Sequence, residues 1–329
     1  LRNMYSLTGY YFLSDCDPNA SKQYNEKKYD LSNILSREYH TSTAYIENEY
    51  ENPGKGGTFF FDKSLLVEPT TYSFKLPKPY TSNGNTQLAY LRYNYAAKVP
   101  SYVSLDVHLD IPESLISEEN HNSVIPSSLS SQYYYTSSGE INFYPINAAD
   151  TTYTVTFTLP TTNATYAAID NVCVNYLRKN DFNGESQMMM TFTNGVNANY
   201  NFIISNANAN VKVWNVSTPT NIFSHALKYS DSSKNAIGTF DKSYEYSSMG
   251  NACLIAFDPT QKMHQVEVVG NINNQNLHGL ETPEMVIITN KFSRPYAEKV
   301  AQAHRDYQNL DVIVVDQEEI FNEFSSGTG

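Results

Sequence analysis

Thiolate catalysis is the first chemistry to weigh for this sequence, because it holds three cysteines and seven histidines. Cys253 and His264 stand eleven positions apart, a pairing that suggests a nucleophile and its base. A thiolate nucleophile needs an accessible, electropositive setting that lowers its pKa. Cys253 lies instead in Ala252-Cys-Leu-Ile-Ala-Phe257, which reads as an apolar strand. Cys16 is flanked by Asp15 and Asp17, whose charges oppose thiolate formation, and Cys173 belongs to another strand-like run. All three are expected to be buried or merely free thiols. Far apart and odd in number, they spell neither a disulfide framework nor a CxxC metal knuckle.

Metal binding is the second chemistry. Asp15, Asp17, Asn19 and Glu26 match the oxygen-ligand positions 1, 3, 5 and 12 of a calcium loop. Ala20 stands where the sharp turn needs glycine, Pro18 disrupts the spacing, and the preceding residues do not look helical. A solvated acidic loop is the expectation. His225 and His304 have no ligand spacing, and Trp214 is expected as a core or interstrand aromatic rather than a sugar platform. His278 reads as a hydrogen-bonding residue of an interdomain linker rich in Asn and Gln. No catalytic, cofactor-binding or metal-binding residue is assigned, and no cofactor is expected.

The elements that would position any site change character once along the chain. In residues 1–55, Tyr5 to Leu13 and the stretch around Tyr45 are candidate strands, separated by a polar run from Asp15 to Asp30. Pro53-Gly-Lys-Gly-Gly57 breaks the pattern and Thr58-Phe-Phe-Phe-Asp62 restarts it. In Thr152 to Leu159, Tyr153, Val155, Phe157 and Leu159 share one face and threonines the other, the period of a half-buried antiparallel strand. Leu88 to Lys98, Tyr102 to Leu109, Ala167 to Leu177, Tyr200 to Ser205 and Val211 to Val216 read similarly. Turn signals punctuate them at Asn83-Gly84, Ser138-Gly139, Asn183-Gly184 and Asn194-Gly195. Residues 56–270 are therefore expected to form one antiparallel β-sandwich of jelly-roll type.

After a linker at 271–282 the periodicity changes. Met285-Val-Ile-Ile288 and Val312-Ile-Val-Val315 are continuously apolar, as strands covered on both faces are. Between them, Ser293 is placed to cap a helix with Pro295 in its first turn, and Asn309 to end it. Phe292, Tyr296, Val300, Ala303 and Tyr307 follow helical spacing. Strand, helix and strand in this order imply a right-handed crossover and a parallel pair. Residues 283–329 thus open an α/β domain, whose remainder is expected beyond residue 329. Active sites in such sheets form at the carboxyl ends of strands, here Thr289-Asn290 and Asp316.

Composition bounds the partners. Acidic residues exceed basic ones, 34 against 22, for a formal charge of −12. That argues against nucleic acid or anionic lipid as the main partner, since both require a basic face. No apolar run reaches the roughly 18 residues that cross a bilayer as a helix. Leu1 is not an initiator Met and no signal-peptide pattern opens the sequence, which reads as a mature or trimmed segment. With charged residues at 17% and 27 tyrosines, the composition suits β structure in an extracellular setting. A binding module is one open reading: Tyr133-Tyr-Tyr135 offers aromatic faces that stack on sugar rings, as in a stand-alone extracellular carbohydrate- or protein-binding β-sandwich.

The other reading comes from a resemblance. Asn274-Gln-Asn-Leu-His-Gly279, Pro283 to Thr289, Ala297 to His304, Val312 to Val315 and Ile320 to Thr328 resemble the type IX secretion system sortases of the gingipain-type cysteine peptidase family. Val211-Lys-Val-Trp-Asn-Val-Ser217 is similar to that family's tryptophan strand, and Val172 to Arg178 to its strand with an arginine near the end. The resemblance covers about residues 56–328. It implies a caspase-like α/β catalytic domain joined to the β-sandwich, with a cysteine nucleophile and a histidine on later strands. No position here matches either, so this chain alone is expected to be inactive. The resemblance further implies a cell-surface, outer-membrane-associated protein of Bacteroidetes. Its partners would be outer-membrane secretion components and secreted cargo, which the family cleaves at a C-terminal sorting domain and transfers to a lipopolysaccharide anchor.

Overall fold

A computed structural model describes residues 25–29, 34–55, 60–66, 68–99, 102–111, 118–124, 135–147, 151–159, 164, 166–193, 199–218, 221–241, 251–263 and 266–325. The expected strand at Tyr5 to Leu13 and the turn at Asn194-Gly195 lie outside them. Two compact units result, one spanning Gln23–His264 and one built on Gln265–Gly329.

The first unit is organised by a nine-stranded sheet. Its spatial order is β1 (Glu26–Lys27), β16 (Phe223–His225), β15 (Lys212–Asn215), β19 (Ala252–Phe257), β13 (Gln187–Phe192), β3 (Tyr39–Glu47), β12 (Tyr166–Lys179), β7 (Ala89–Lys98) and β10 (Tyr135–Phe143). A four-stranded sheet runs β4 (Thr70–Lys75), β11 (Thr152–Thr158), β8 (Val103–Asp110) and β9 (Glu118–Val124). Another runs β17 (Lys228–Ser230), β18 (Asn235–Phe240), β14 (Tyr200–Ile204) and β2 (Leu35–Arg37). A short hairpin joins β5 (Thr81–Ser82) to β6 (Asn85–Thr86). Asn83 and Gly84 both take positive φ at its turn, the conformation that an Asn-Gly pair adopts with least strain. Pairing is antiparallel except at β1–β16 and β2–β14. Ser138-Gly139, expected as a turn, lies inside β10, where β7 pairs with both residues and holds them extended.

The period-2 reading of β11 holds: Tyr153, Val155, Phe157 and Leu159 are all buried. With Tyr72 and Phe74 of β4 and Leu105, Val107 and Leu109 of β8 in the same sheet, they pack against Tyr93 of β7 in one core. Fully burying side chains of this size contributes about 2 kcal/mol each. A second core gathers Met188, Met190, Phe192, Tyr200, Phe202, Phe240 and Leu254. Where one sandwich was expected over 56–270, the described residues bury two large cores along one continuous sheet and a small third cluster of Phe61, Ala96, Tyr166 and Ala168. β3, from the segment before residue 55, is the strand at which the sheet passes from one core to the other. It pairs with β12 along nine residues but with β13 through Thr41–Thr191 alone.

Other contacts reinforce that thin seam. Asn180 follows β12 and is buried. Its amide donates to Ile203 O (3.0 Å) and Arg37 O (3.4 Å), which turns its Oδ1 toward His40 Nδ1 at 2.8 Å. His40 therefore carries its proton on Nδ1. Its Nε2 meets no hydrogen-bond partner among the described residues. The Asn180 backbone donates to Glu38 O and accepts from Ser205 N, both at 2.8 Å. Alongside, Glu185 takes Arg178 Nη2 at 2.5 Å and Lys78 Nζ at 3.4 Å.

In the second unit, β20 (Met285–Thr289) and β21 (Val312–Asp316) pair in parallel, joined by α1 (Arg294–Gln308). The crossover matches the sequence reading to within one residue, and Asn309 ends α1 in a left-handed conformation. The packed face differs. Ala297 and Ala301 meet Met285, Ile287, Val312 and Val314, whereas Phe292 and Tyr307 are 90% and 89% exposed and Tyr296 and Val300 are exposed too. Small side chains let the helix sit close to a two-stranded sheet, and the bulky stripe points to solvent. Ser293 makes no side-chain cap bond; Asn290 Oδ1 accepts from Ser293 N at 2.9 Å instead. A second helix, α2 (Gln317–Phe324), follows β21 directly, with Asp316 and Glu319 forming a reciprocal capping box.

Burial pushes His40 down to about 4. Because that lies below the unfolded value of about 6.5, the unfolded chain binds the proton more readily, so stability falls as pH drops from 6.5 toward 4. We expect a loss of about 2 kcal/mol between pH 7.5 and 5. Urea midpoints should show it, and His40→Gln should flatten that slope. At Gly238 of β18, an added Cβ would fall inside the Phe202 ring. Gly238→Ala should therefore lower the unfolding free energy by about 2 kcal/mol through overpacking, read by the same titration at pH 7.5.

Candidate functional site

The carboxyl ends of β20 and β21 are built from three local devices. Thr289 and Asp316 are paired across the strands, with Thr289 buried and Asp316 half-buried. Asn290 then reverses the chain, its carbonyl accepting from Ser293 N (3.1 Å) and Arg294 N (3.0 Å). Asp316 Oδ1 accepts from Glu318 N at 2.9 Å while Glu319 Oε2 accepts from Asp316 N at 3.0 Å. Both Asn290 and Asp316 are thus engaged in starting helices.

The two arginines of α1 close one edge of the sheet. Met285 N donates to Asp311 O, so alternate residues 312 and 314 direct their carbonyls away from β20. Arg305 Nη2 and Nε donate to Val312 O at 2.7 and 3.2 Å, and Arg294 Nη2 to Val314 O at 3.1 Å. Charged side chains on outward carbonyls are a way to blunt a strand edge. The Arg294 guanidinium also lies 3.7 Å from Glu319 and 4.0 Å from Glu298.

His278 is engaged by a carboxylate. It sits in a 3-10 turn, Leu277–Gly279, and its Nδ1 lies 2.8 Å from Glu323 Oε2. The same carboxylate accepts from Leu277 N at 2.7 and 2.8 Å, His278 N at 3.2 Å and Gln275 Nε2 at 2.9 Å. The Leu277 N–H, above the other donors, holds Glu323 well below the usual carboxylate range, at about 2. The His278 ring stacks on Phe324 at 4.4 Å. This clamp ties the expected linker to α2. Glu323 went unrecognised in the sequence, because a lone acidic residue near a helix end looks like solvated surface. The Asp316–Glu319 box also went unread, although an Asp followed three residues later by Glu is a capping-box spacing.

The remaining candidates are scattered. Cys253 is in β19, with its backbone N–H on Ser217 Oγ at 2.9 Å. His264, Cys16 and Asp15, Asp17 and Asn19 of the acidic loop lie outside the described residues, and Glu26 is in β1. Cys173 is half-buried in β12, and burial pushes its thiol up, away from reactivity. His225 is buried with Nδ1 3.1 Å from Thr239 O, and His304 lies on exposed α1, 2.5 Å from Gln308 Oε1. Trp214 packs edge-on against Phe257 at 5.0 Å across β15 and β19, as an interstrand aromatic. Of the tyrosine triplet, 133 and 134 are outside the described residues, and Tyr135 packs half-buried on the first core. Among the described residues no group of three His, Cys, Asp or Glu side chains is placed to hold a metal ion. No helix among them is long and apolar enough to cross a membrane.

Comparison with known proteins centres on the same unit. The family model of Peptidase family C25 matches residues 278–329, beginning at the clamped His278. Among solved structures, the chain is similar to dimeric latent PorU from Porphyromonas gingivalis, with a TM-score of 0.75 and 20% identity over 93% of this chain. That likeness shows the fold, mainly β with the α/β opening at its end. The chain spans 28% of the PorU chain. A family 16 carbohydrate binding module-2 aligns over 32% of this chain and 70% of its own, with 13% identity and a TM-score of 0.22, too low to bear on the argument. No curated protein sequence matches.

Removing the charge at residue 323 tests the clamp. Glu323→Gln should speed amide exchange at Leu277 and His278 while leaving β11 amides protected. In the unaltered chain the carboxyl is held below its unfolded value of about 4.3, so the clamp should persist as pH falls to 4 and open only near 2. Hydrogen exchange across that range reads both outcomes.

Proposed function

We propose that this chain is the noncatalytic N-terminal part of a cell-surface, type IX sortase-like cysteine peptidase of family C25. One observation carries the reading: a C25 match at residues 278–329 is continuous with a PorU-like fold over 93% of the chain. In this reading residues 1–55 and 56–270 form the β module, 271–282 the linker and 283–329 the opening of a caspase-like peptidase domain. The β module orients that domain and meets outer-membrane secretion components or cargo. Cleavage of C-terminal sorting domains and transfer of cargo to a lipopolysaccharide anchor belong to the complete enzyme.

The edge chemistry of the α/β unit supports where the rest would attach. With Arg294 and Arg305 on the outward carbonyls of β21, further strands join beside β20. Strand order then reverses at β20, and the crevice of an open α/β sheet forms at such a reversal, beyond the carboxyl ends. Thr289 and Asn290 thus border the peptidase crevice, and Asp316 stands one strand away. Catalysis by this mechanism needs a nucleophile, a base about 3 Å from it and donors for the oxyanion. The described cysteines, in β12 and β19, have no such arrangement around them.

The chain by itself should therefore show no turnover of sorting-domain peptides. The assay sets it beside a Cys16→Ser, Cys173→Ser, Cys253→Ser triple variant checked for folding by circular dichroism. Turnover that vanished in the folded variant would place the nucleophile here and overturn the proposal. Reading the gene past codon 329 gives an independent check: further βα units bearing a His and then a Cys after apolar strands are expected, and a stop codon contradicts them.

A further inference from the structure

One face of β3, β12, β7 and β10 covers the first core; the other packs under Phe61 at its Ala96, Ala168 and Tyr166 end and turns outward beyond it with a regular layout. Register places Tyr45 beside Cys173, Cys173 beside Arg92, and Arg92 beside Glu140. One row along, Asn175 stands between Thr43 and Tyr90. One row the other way, Asn171 stands beside Asn94. Tyr45 and Tyr90 are 54% and 39% exposed. Two strand spacings and one row put them roughly 12 Å apart, farther than one sugar ring spans.

The polar groups around the tyrosines are held in place. Asn94 Nδ2 donates to Asn171 Oδ1 at 3.1 Å, and Thr43 Oγ1 to Asn175 Oδ1 at 2.7 Å. Asn171 Nδ2 also donates to Asp170 Oδ2 at 2.8 Å and Asn175 Nδ2 to Cys173 Sγ at 3.6 Å, so both amides are oriented at each end and keep one further N–H and one acceptor site. Arg92 Nε lies 2.5 Å from Glu140 Oε2, so the cation of this face is already neutralised. The Tyr45 hydroxyl is hydrogen-bonded to Glu47 and pushed up to about 12 by burial and by that carboxylate, so it stays protonated and the ring is the surface it offers.

These features define a partner by charge and by chemistry. A polyanion would find no unpaired cation among Tyr45, Arg92, Glu140 and their neighbours, within a chain whose formal charge is −12. An apolar helix would find amides and hydroxyls where its anchors need aliphatic pockets. A sugar chain without charge fits both properties: its C–H faces stack on tyrosine rings, and its hydroxyls exchange hydrogen bonds with fixed amides. We propose that the outward face of β3, β12, β7 and β10 binds an uncharged polysaccharide, gripped by Tyr45 and Tyr90 and read by Asn94, Asn171 and Asn175. The assignment stands on the β module alone and does not depend on the peptidase reading.

Calorimetry of the full chain with cellohexaose, xylohexaose and mannohexaose tests it, with oligogalacturonate as the anionic counterpart. At least one neutral hexasaccharide should bind. Tyr45→Ala and Tyr90→Ala should each weaken it about tenfold, equal to about 1.4 kcal/mol. Tyr102→Ala, at a tyrosine 73% exposed outside this face, should leave binding unchanged. Because a variant can fail to fold, the unaltered chain is also titrated by NMR. The side-chain amide signals of Asn94, Asn171 and Asn175 should shift on addition of the bound saccharide. Absence of binding by all three neutral sugars, undiminished binding in the double alanine variant, shifts confined to other asparagines, or equal affinity for oligogalacturonate would each overturn the proposal.

Discussion

Asn180 holds together what the strand pairing leaves nearly separate. The large sheet crosses between its two cores where β3 and β13 share one residue pair, too little to fix two sandwiches against each other. Asn180 gathers Arg37, Glu38, His40, Ile203 and Ser205 onto one residue through both its side chain and its backbone. Because the site is buried, each of these bonds replaces one that water would otherwise supply, and losing a partner leaves an unsatisfied group at a cost of about 1–3 kcal/mol. The arrangement also has a drawback. His40 is held neutral, with its Nε2 meeting no partner among the described residues, which makes this seam acid-sensitive.

The two units meet the demand for burial differently. In the β unit, tyrosines and phenylalanines from facing sheets interlock, as Tyr72, Tyr93 and Phe157 do edge to face at 5.0 to 5.8 Å. The α/β unit buries a much smaller apolar set: Ala301, Val312, Val314 and Val315, with Met285, Ile287, Ala297 and Leu310 partly covered. Two strands and a helix are marginal by themselves. Polar clamps compensate: Glu323 on the 3-10 turn, Arg294 and Arg305 on β21, and the Asp316–Glu319 box. Each joins residues from different elements, so the unit is held by several directional bonds around a thin core.

That division separates two kinds of stability: the β unit is fixed by interlocked aromatic side chains, the α/β unit by directional bonds that include two arginines on the outward carbonyls of β21.

What the sequence determined by itself is whatever depends on local period and local chemistry. Tyr153, Val155 and Phe157 had to share a face because a strand alternates. Asn83-Gly84 had to turn because both positions accept positive φ. Residues 285–315 had to form strand, helix and strand because two short apolar runs flank a helical period with a left-handed stop at Asn309. Tertiary structure decided the rest. Ser138-Gly139 became strand because β7 lay alongside, and one sandwich became two cores because β3 was drawn into the sheet between them. Ala297 and Ala301, rather than Tyr296 and Val300, faced the sheet because close approach to two strands favours small side chains. His40 and Asn180 are 140 residues apart, and Gln275 and Glu323 are 48 apart. No local pattern encodes such pairs, because the partner that gives each residue its meaning arrives only when distant segments pack.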